Sequence, residues 1–160
     1  MSGMIKKIKS SIKGEIRMKN YILGSQHNFD AAHWLVGHEG KCKNLHGHNW
    51  VVHLELMAHE TIKEGSQRGM VLDFYNLKKD FRRLVDDFDH SVIAEEGTIS
   101  DNLLRAFKEE GFERIRLVPF RPTCENFAPY FYNEMKKKGY PVQSITVYET
   151  DINYCKYEEV

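Results

Sequence analysis

The sequence has no surplus of either charge: 23 lysines and arginines stand against 23 aspartates and glutamates, a formal net charge of zero. Domains whose main partner is a phosphate backbone usually carry a large basic excess, so nucleic-acid binding is not the expected role. No apolar run approaches the ~20 residues that span a bilayer, and no membrane association is expected. Cysteine is scarce and odd in number (Cys42, Cys124, Cys155), with no C-x-x-C pair. That excludes a small disulfide scaffold, a redox dithiol and a zinc ribbon, and it points to a reducing, cytoplasmic compartment. Repeats, low-complexity tracts and linkers are absent, and prolines number four. A chain of 160 residues suits one domain with one sizeable core. What the chain has in quantity is histidine, with eight.

The first 20 residues, MSGMIKKIKSSIKGEIRMKN, hold six lysines or arginines and one glutamate. No unbroken apolar segment interrupts them, so they are not a secretory signal. Residues 1–19 are expected to be a basic, flexible extension and residues 20–160 a single domain.

Residues 21 to 35 read as a strand, with Phe29, Ala31 and His33 on one face. A glycine-containing loop follows, and then HGHNWVVHLELMA alternates cleanly: His46, His48, Trp50, Val52, Leu54 and Leu56 share a face. Phe74, Leu77, Phe81, Leu84, Val85 and Phe88 form the stripe of an amphipathic helix, with Asp73 as N-cap. Thr98-x-x-Asp101 resembles a capping box for a short helix that Gly111 ends. Residues 113 to 120 and 143 to 150 read as strands, separated by a second long helix in which Pro129 requires either a late start or a kink. The sum is an α+β domain of four strands with two main helices on one face. Such a sheet leaves two edges and one face to cover, and oligomerisation that extends the sheet is one remedy.

The strongest local signal is H-x12-H-x-H, made by His33, His46 and His48. His-x-His on a strand places two imidazoles on one face, roughly 6 to 7 Å apart at Cα, and His33 lies on the matching face of the paired strand. Three neutral nitrogens suit zinc and leave its fourth position open, the catalytic arrangement. A cupin metal site is excluded, because Val52 and His53 stand where its glutamate belongs. His27 shares the face of His33 and could support it, whereas His38, His53 and His59 read as loop or outward residues. Cys42, flanked by Lys41 and Lys43, is either a fourth ligand that closes the site or an acid/base group beside an open one. Asp89-His90 pairs a carboxylate with an imidazole, the support a general acid or base needs. Glu149 ends the last strand at YET.

Taken in order, FDAAH (29 to 33), CKNLHGH (42 to 48), GMVLDF (69 to 74), FDH (88 to 90), RPTCENF (121 to 127) and YET (148 to 150) resemble the 6-pyruvoyltetrahydropterin synthase / 6-carboxytetrahydropterin synthase family. The resemblance implies the tunnelling fold, an antiparallel four-stranded sheet carrying two helices and assembled into a barrel by trimers stacked as a homohexamer. It implies zinc on His33, His46 and His48, Cys42 as the proton-transferring thiol, and a relay completed by Asp89 and His90 across a subunit boundary. Glu149 would anchor the pterin ring by accepting hydrogen bonds from its guanidine-like edge, with Thr123 nearby. Lys41, Lys43 and Arg121 are candidates to meet a triphosphate. The C-x3-H-G-H spacing and the insert EEGTISDNLLRAFKEEGFERIRLVPFRPT resemble the carboxytetrahydropterin branch of queuosine biosynthesis. The substrate so implied is 7,8-dihydroneopterin triphosphate. Two alternatives remain: a pyruvoyl-type synthase that only eliminates triphosphate, and a non-catalytic zinc- or pterin-binding protein.

Overall fold

A computed structural model describes residues 19–160, and the basic extension expected over residues 1–19 lies almost wholly outside the described residues. The described chain forms β1 (Tyr21–His33), a 3-10 turn (Lys41–Lys43), β2 (His46–Ala58), α1 (Phe74–Asp86), β3 (Ser91–Glu95), α2 (Asp101–Glu109), β4 (Ile115–Val118), α3 (Cys124–Lys137), β5 (Val142–Tyr148) and β6 (Tyr154–Glu158). The strands make one six-stranded sheet in the order β4-β3-β1-β2-β5-β6. The four-stranded antiparallel expectation therefore undercounts. β1–β2, β2–β5 and β5–β6 are antiparallel, but β1–β3 and β3–β4 are parallel. The β3–α2–β4 segment is the helical crossover that a parallel pair requires. Both missed strands are short and weakly patterned: β3 is SVIAE, apolar without alternation, and β6 is YCKYE, with two charged residues in five.

Helix ends follow local chemistry. The Asp73 carboxylate caps α1 by accepting from the Tyr75 amide at 2.8 Å. The cap of α2 is Ser100, whose hydroxyl accepts from the Leu103 amide, and not the Thr98–Asp101 pair. Thr98 instead donates its hydroxyl to the Glu95 carbonyl at 2.7 Å. α3 starts at Cys124 and carries Pro129 in its interior, so the proline is tolerated inside one assigned helix rather than delaying its start. Gly139 ends it at φ 87°, a left-handed geometry that favours glycine.

The core lies between one face of the sheet and helices α1 and α3. Leu77, Phe81 and Val85 of α1 and Phe127, Phe131 and Met135 of α3 are fully buried. Phe29 and Trp50 face them from β1 and β2, and the Phe29 ring is 5.7 Å from Phe88, 5.9 Å from Phe127 and 5.8 Å from Trp50 between centroids. Each such side chain contributes about 1.5–3 kcal/mol through burial. α2 buries nothing. The other face of the sheet is polar: the Glu55 carboxylate accepts from the Ser144 hydroxyl at 2.6 Å and pairs with Lys156 at 3.3 Å. β4 and β6 are the free edges. No helix among the described residues is long and apolar enough to cross a membrane.

Candidate metal centre and its surroundings

The β1–β2 ladder pairs Tyr21 with Ala58 at one end and His33 with His46 at the other, with Ala31 opposite His48. Alternation puts all three imidazoles on the core side, at the end of the ladder where the hydrophobic packing stops. Ring centroids are 4.5 Å apart for His33–His46, 5.2 Å for His33–His48 and 4.9 Å for His46–His48. One nitrogen from each lies within 4.8 Å of the others. Trp50 floors the group, its ring edge-on to His33 at 5.0 Å and to His48 at 5.6 Å. Gly47 sits where a Cβ would stand 3.4 Å from the Ala31 carbonyl, so the two strands can close tightly beside the histidines.

Backbone carbonyls decide the tautomers. His33 Nδ1 is 2.7 Å from the Pro122 carbonyl, and His46 Nδ1 is 2.8 Å from the Asn44 carbonyl. A carbonyl only accepts, so both Nδ1 atoms carry hydrogen and both Nε2 atoms present a lone pair. The Nε2 atoms of His33, His46 and His48 are all buried with no hydrogen-bond partner. His33 is 0% exposed. Burial, opposed in part by the bond to the Pro122 carbonyl, pulls its pKa down to about 4. Burial also lowers that of His48, against the attraction of Glu149. Three imidazoles with converging, buried and unpartnered Nε2 atoms form a donor set that fits a divalent metal.

The remaining candidates fall around this centre. The Glu149 carboxylate approaches His33 Nε2 at 3.6 Å and His48 Nε2 at 3.9 Å. Its backbone is fixed by a turn in which the Glu149 amide donates to the Asn153 carbonyl at 3.0 Å. Cys42 lies half-buried in the 3-10 turn, tied to the end of β1 by the Leu35 amide donating to its carbonyl at 2.8 Å. Its thiol is not a member of the histidine group. Lys41 and Lys43 flank it, exposed. Arg121 donates to the Val36 carbonyl at 3.1 Å, while its Nε is buried without a partner. Thr123 is the N-cap residue of α3 and follows Pro122, whose carbonyl orients His33.

Asp89 and His90 occupy the α1–β3 connection. The Asp30 amide donates to Asp89 Oδ1 at 2.9 Å, and His90 Nδ1 lies 2.8 Å from Asp89 Oδ2. The His90 amide in turn donates to the Asp30 carbonyl at 2.7 Å. The Asp30 amide, and after it the bond from His90, hold the Asp89 carboxyl below the usual carboxylate range. His90 adopts φ 52°, left-handed for a non-glycine residue, and its side chain is 76% exposed. It shares a shallow depression of about 410 Å³ with Asp30, Ala32, Gly47, His48 and Asn49. His27 does not support the centre: its Nε2 meets Asp86 at 2.6 Å. The roles of Asp30, Asn44 and Pro122 run through backbone atoms and so leave no side-chain signature in the sequence.

The comparison with known proteins decides the family: residues 23–160 match the one described as 6-pyruvoyl tetrahydropterin synthase. The chain belongs to the 6-pyruvoyl tetrahydropterin synthase family. Within it, a 6-carboxy-5,6,7,8-tetrahydropterin synthase of Haemophilus influenzae is 32% identical over 139 residues, 86% of this chain and 98% of that protein. One of Aquifex aeolicus is 30% identical over 131 residues, 74% of this chain and 76% of that protein. Among solved structures, 6-pyruvoyl tetrahydropterin synthase of Caenorhabditis elegans aligns with TM-score 0.63 at 25% identity, over 90% of this chain and 99% of that one. A Wolinella succinogenes protein gives TM-score 0.73 at 21% identity, over 89% and 99%, a likeness of fold alone. The α+β tunnelling-fold expectation is met, with six strands in place of four. The family is one of enzymes that act on pterins.

Proposed function

We propose that this enzyme is a zinc-dependent 6-carboxytetrahydropterin synthase of the queuosine precursor pathway, acting in the cytoplasm. It converts 7,8-dihydroneopterin triphosphate and water to 6-carboxy-5,6,7,8-tetrahydropterin, acetaldehyde and triphosphate. The observation that carries the reading is the convergence of three buried, unpartnered Nε2 lone pairs in a chain whose curated relatives bear that name. His33, His46 and His48 hold the zinc through Nε2. When bound, the ion supplies Lewis acidity toward the side-chain oxygens of the substrate.

The other residues handle protons and orientation. Proton shifts between the pterin ring and its side chain need one acid and one base on opposite sides, and Cys42 and His90 take those parts. Asp89 accepts from His90 Nδ1, which leaves Nε2 as the atom that exchanges protons. The Asp30 amide and the bond from His90 hold the Asp89 pKa down, so the carboxylate keeps its charge well into the acid range. Glu149 accepts from the guanidine-like edge of the pterin, with Thr123 beside it. Lys41, Lys43 and Arg121 meet the triphosphate. The exposed His90 and the free edges at β4 and β6 suit an assembly in which neighbouring copies complete the pocket. A dimer of trimers is the arrangement proposed.

Mass spectrometry of the products formed by zinc-loaded protein from 7,8-dihydroneopterin triphosphate tests the reading. Carboxytetrahydropterin with acetaldehyde is the expected result. Pyruvoyltetrahydropterin alone would transfer the enzyme to the pyruvoyl-type reaction, and absence of turnover with zinc bound would leave a binding protein.

A further inference from the structure

The fourth position of the histidine centre has an occupant built into the fold. An imidazole that ligates a metal does so in its neutral form, so a divalent ion on these three buried, unpartnered nitrogens would bring an uncompensated double charge into a poorly solvated place. Among the described residues, the carboxylate within 4 Å of those nitrogens is Glu149, at 3.6 Å from His33 and 3.9 Å from His48. Two donors on one tetrahedral ion, each about 2.0–2.1 Å from it, are separated by about 3.4 Å. Glu149 is therefore within a few tenths of an ångström of ligand spacing to two of the three histidines. It stands outside the group that includes His46, so a side-chain rotation, with the backbone still pinned at Asn153, completes the set. Cys42, the other candidate fourth ligand, is outside the group as well.

The geometry points to Glu149 as an exchangeable fourth ligand that closes the metal when the pterin pocket is empty. This rests on the zinc and pterin reading above. The same carboxylate then has two competing partners: the ion, and the guanidine-like edge of the incoming pterin. Arrival of a pterin draws Glu149 off the ion and opens the position its side-chain oxygens need. A phosphorylated compound without that donor edge leaves the metal closed, so recognition of the ring licenses access to the ion.

The test uses the full-length protein with zinc replaced by one equivalent of cobalt(II), followed by visible absorption, with azide as the probe of an open position and unsubstituted pterin, which has the ring but no side-chain oxygens, as the ring probe. The expected result has three parts. The azide-free cobalt spectrum of E149Q differs from that of the wild type. Azide binds E149Q at least about tenfold tighter, as it must if the open form is a tenth or less of the wild-type population. Unsubstituted pterin gives the wild-type protein the same gain in azide affinity, a comparison that needs no variant and survives any misfolding of E149Q. Identical azide-free spectra, with azide affinity unmoved by unsubstituted pterin, overturn the inference and leave the metal site standing. A carboxylate that merely lies nearby would alter azide affinity in E149Q without altering the azide-free spectrum, and that result overturns it also. Failure of cobalt to bind at one equivalent overturns the inference together with the reading beneath it.

Discussion

Acid should loosen the metal-free protein through one residue. His33 is wholly buried, and its pKa falls to about 4, against an ordinary histidine value of about 6.5. The unfolded chain takes up a proton on this ring as pH drops through the ordinary histidine value, while the native state refuses it until about 4. Stability is therefore lost as pH falls across that interval, levels off below it, and is fully present above about 6.5. A gap of about two and a half units at 1.36 kcal/mol each corresponds to about 3 kcal/mol. His33→Asn is the control, because its amide can donate to the Pro122 carbonyl in place of Nδ1 but does not titrate. Urea midpoints followed by far-ultraviolet circular dichroism, in chelator and at fixed protein concentration, give the pH slope of each protein between pH 7.5 and 4. Subtracting the slopes cancels the carboxylates common to both. The wild type should lose about 3 kcal/mol more than His33→Asn over this range. Equal slopes, or a steeper loss in the variant, would refute the reasoning. Zinc at a thousandfold excess over its dissociation constant should add about 4 kcal/mol at neutral pH to the wild type, and far less to the variant.

Other outcomes follow from the same geometry. Cys42→Ala should cut turnover by about 100-fold or more while retaining one zinc per chain, measured by chelator competition; loss of zinc would make the thiol a ligand instead. Asp89→Asn removes the acceptor that orients His90 and should lower kcat by about 100-fold with little effect on zinc content or urea midpoint, and an unchanged kcat would remove the pair from the mechanism. Phe127→Ala opens the aromatic core between Phe29, Trp50 and Phe131 and should cost about 3–5 kcal/mol in urea unfolding. Trp34→Phe leaves Trp50, 5.0 Å from His33, as the one tryptophan of the chain, and cobalt(II) should quench its emission in proportion to occupancy.

Much of this arrangement was legible in the sequence because it depends on alternation. The period of two fixed the faces of His33, His46 and His48, and β1 and β2 bury the same residues that the pattern assigns inward. The amphipathic stripe of α1 and its Asp73 cap were equally plain. Legibility ended where tertiary contact decides. β3 forms because Ala31, Ala32 and His33 offer it a parallel partner, a fact no five-residue window contains. Ser100 outcompetes Thr98 as a cap because Thr98 bonds back to Glu95. His27, on the face of His33, is taken by Asp86 from a helix 59 positions away in the chain. The proximity of Glu149 to the histidines requires β5 to lie beside β2, which only the folded sheet specifies.

The β1–β2 ladder runs without a bulge through all thirteen pairs to His33↔His46, whereas the β2–β5 register shifts at Glu55/Leu56, well away from the centre. Frame and cargo are thereby separated. The two strands hold the histidines in phase, so a single residue inserted between Phe29 and His33, or between His48 and Trp50, would set the histidines on the opposite face from the core side chains of the same strand. The hairpin connection between them, residues 34–45, is under no such constraint. It can lengthen or shorten and carry its thiol to a new place while the imidazoles stay where they are. On the roles proposed above for Cys42 and for a metal on the histidines, such a scaffold can move its proton donor while the centre that binds the substrate is left unrebuilt.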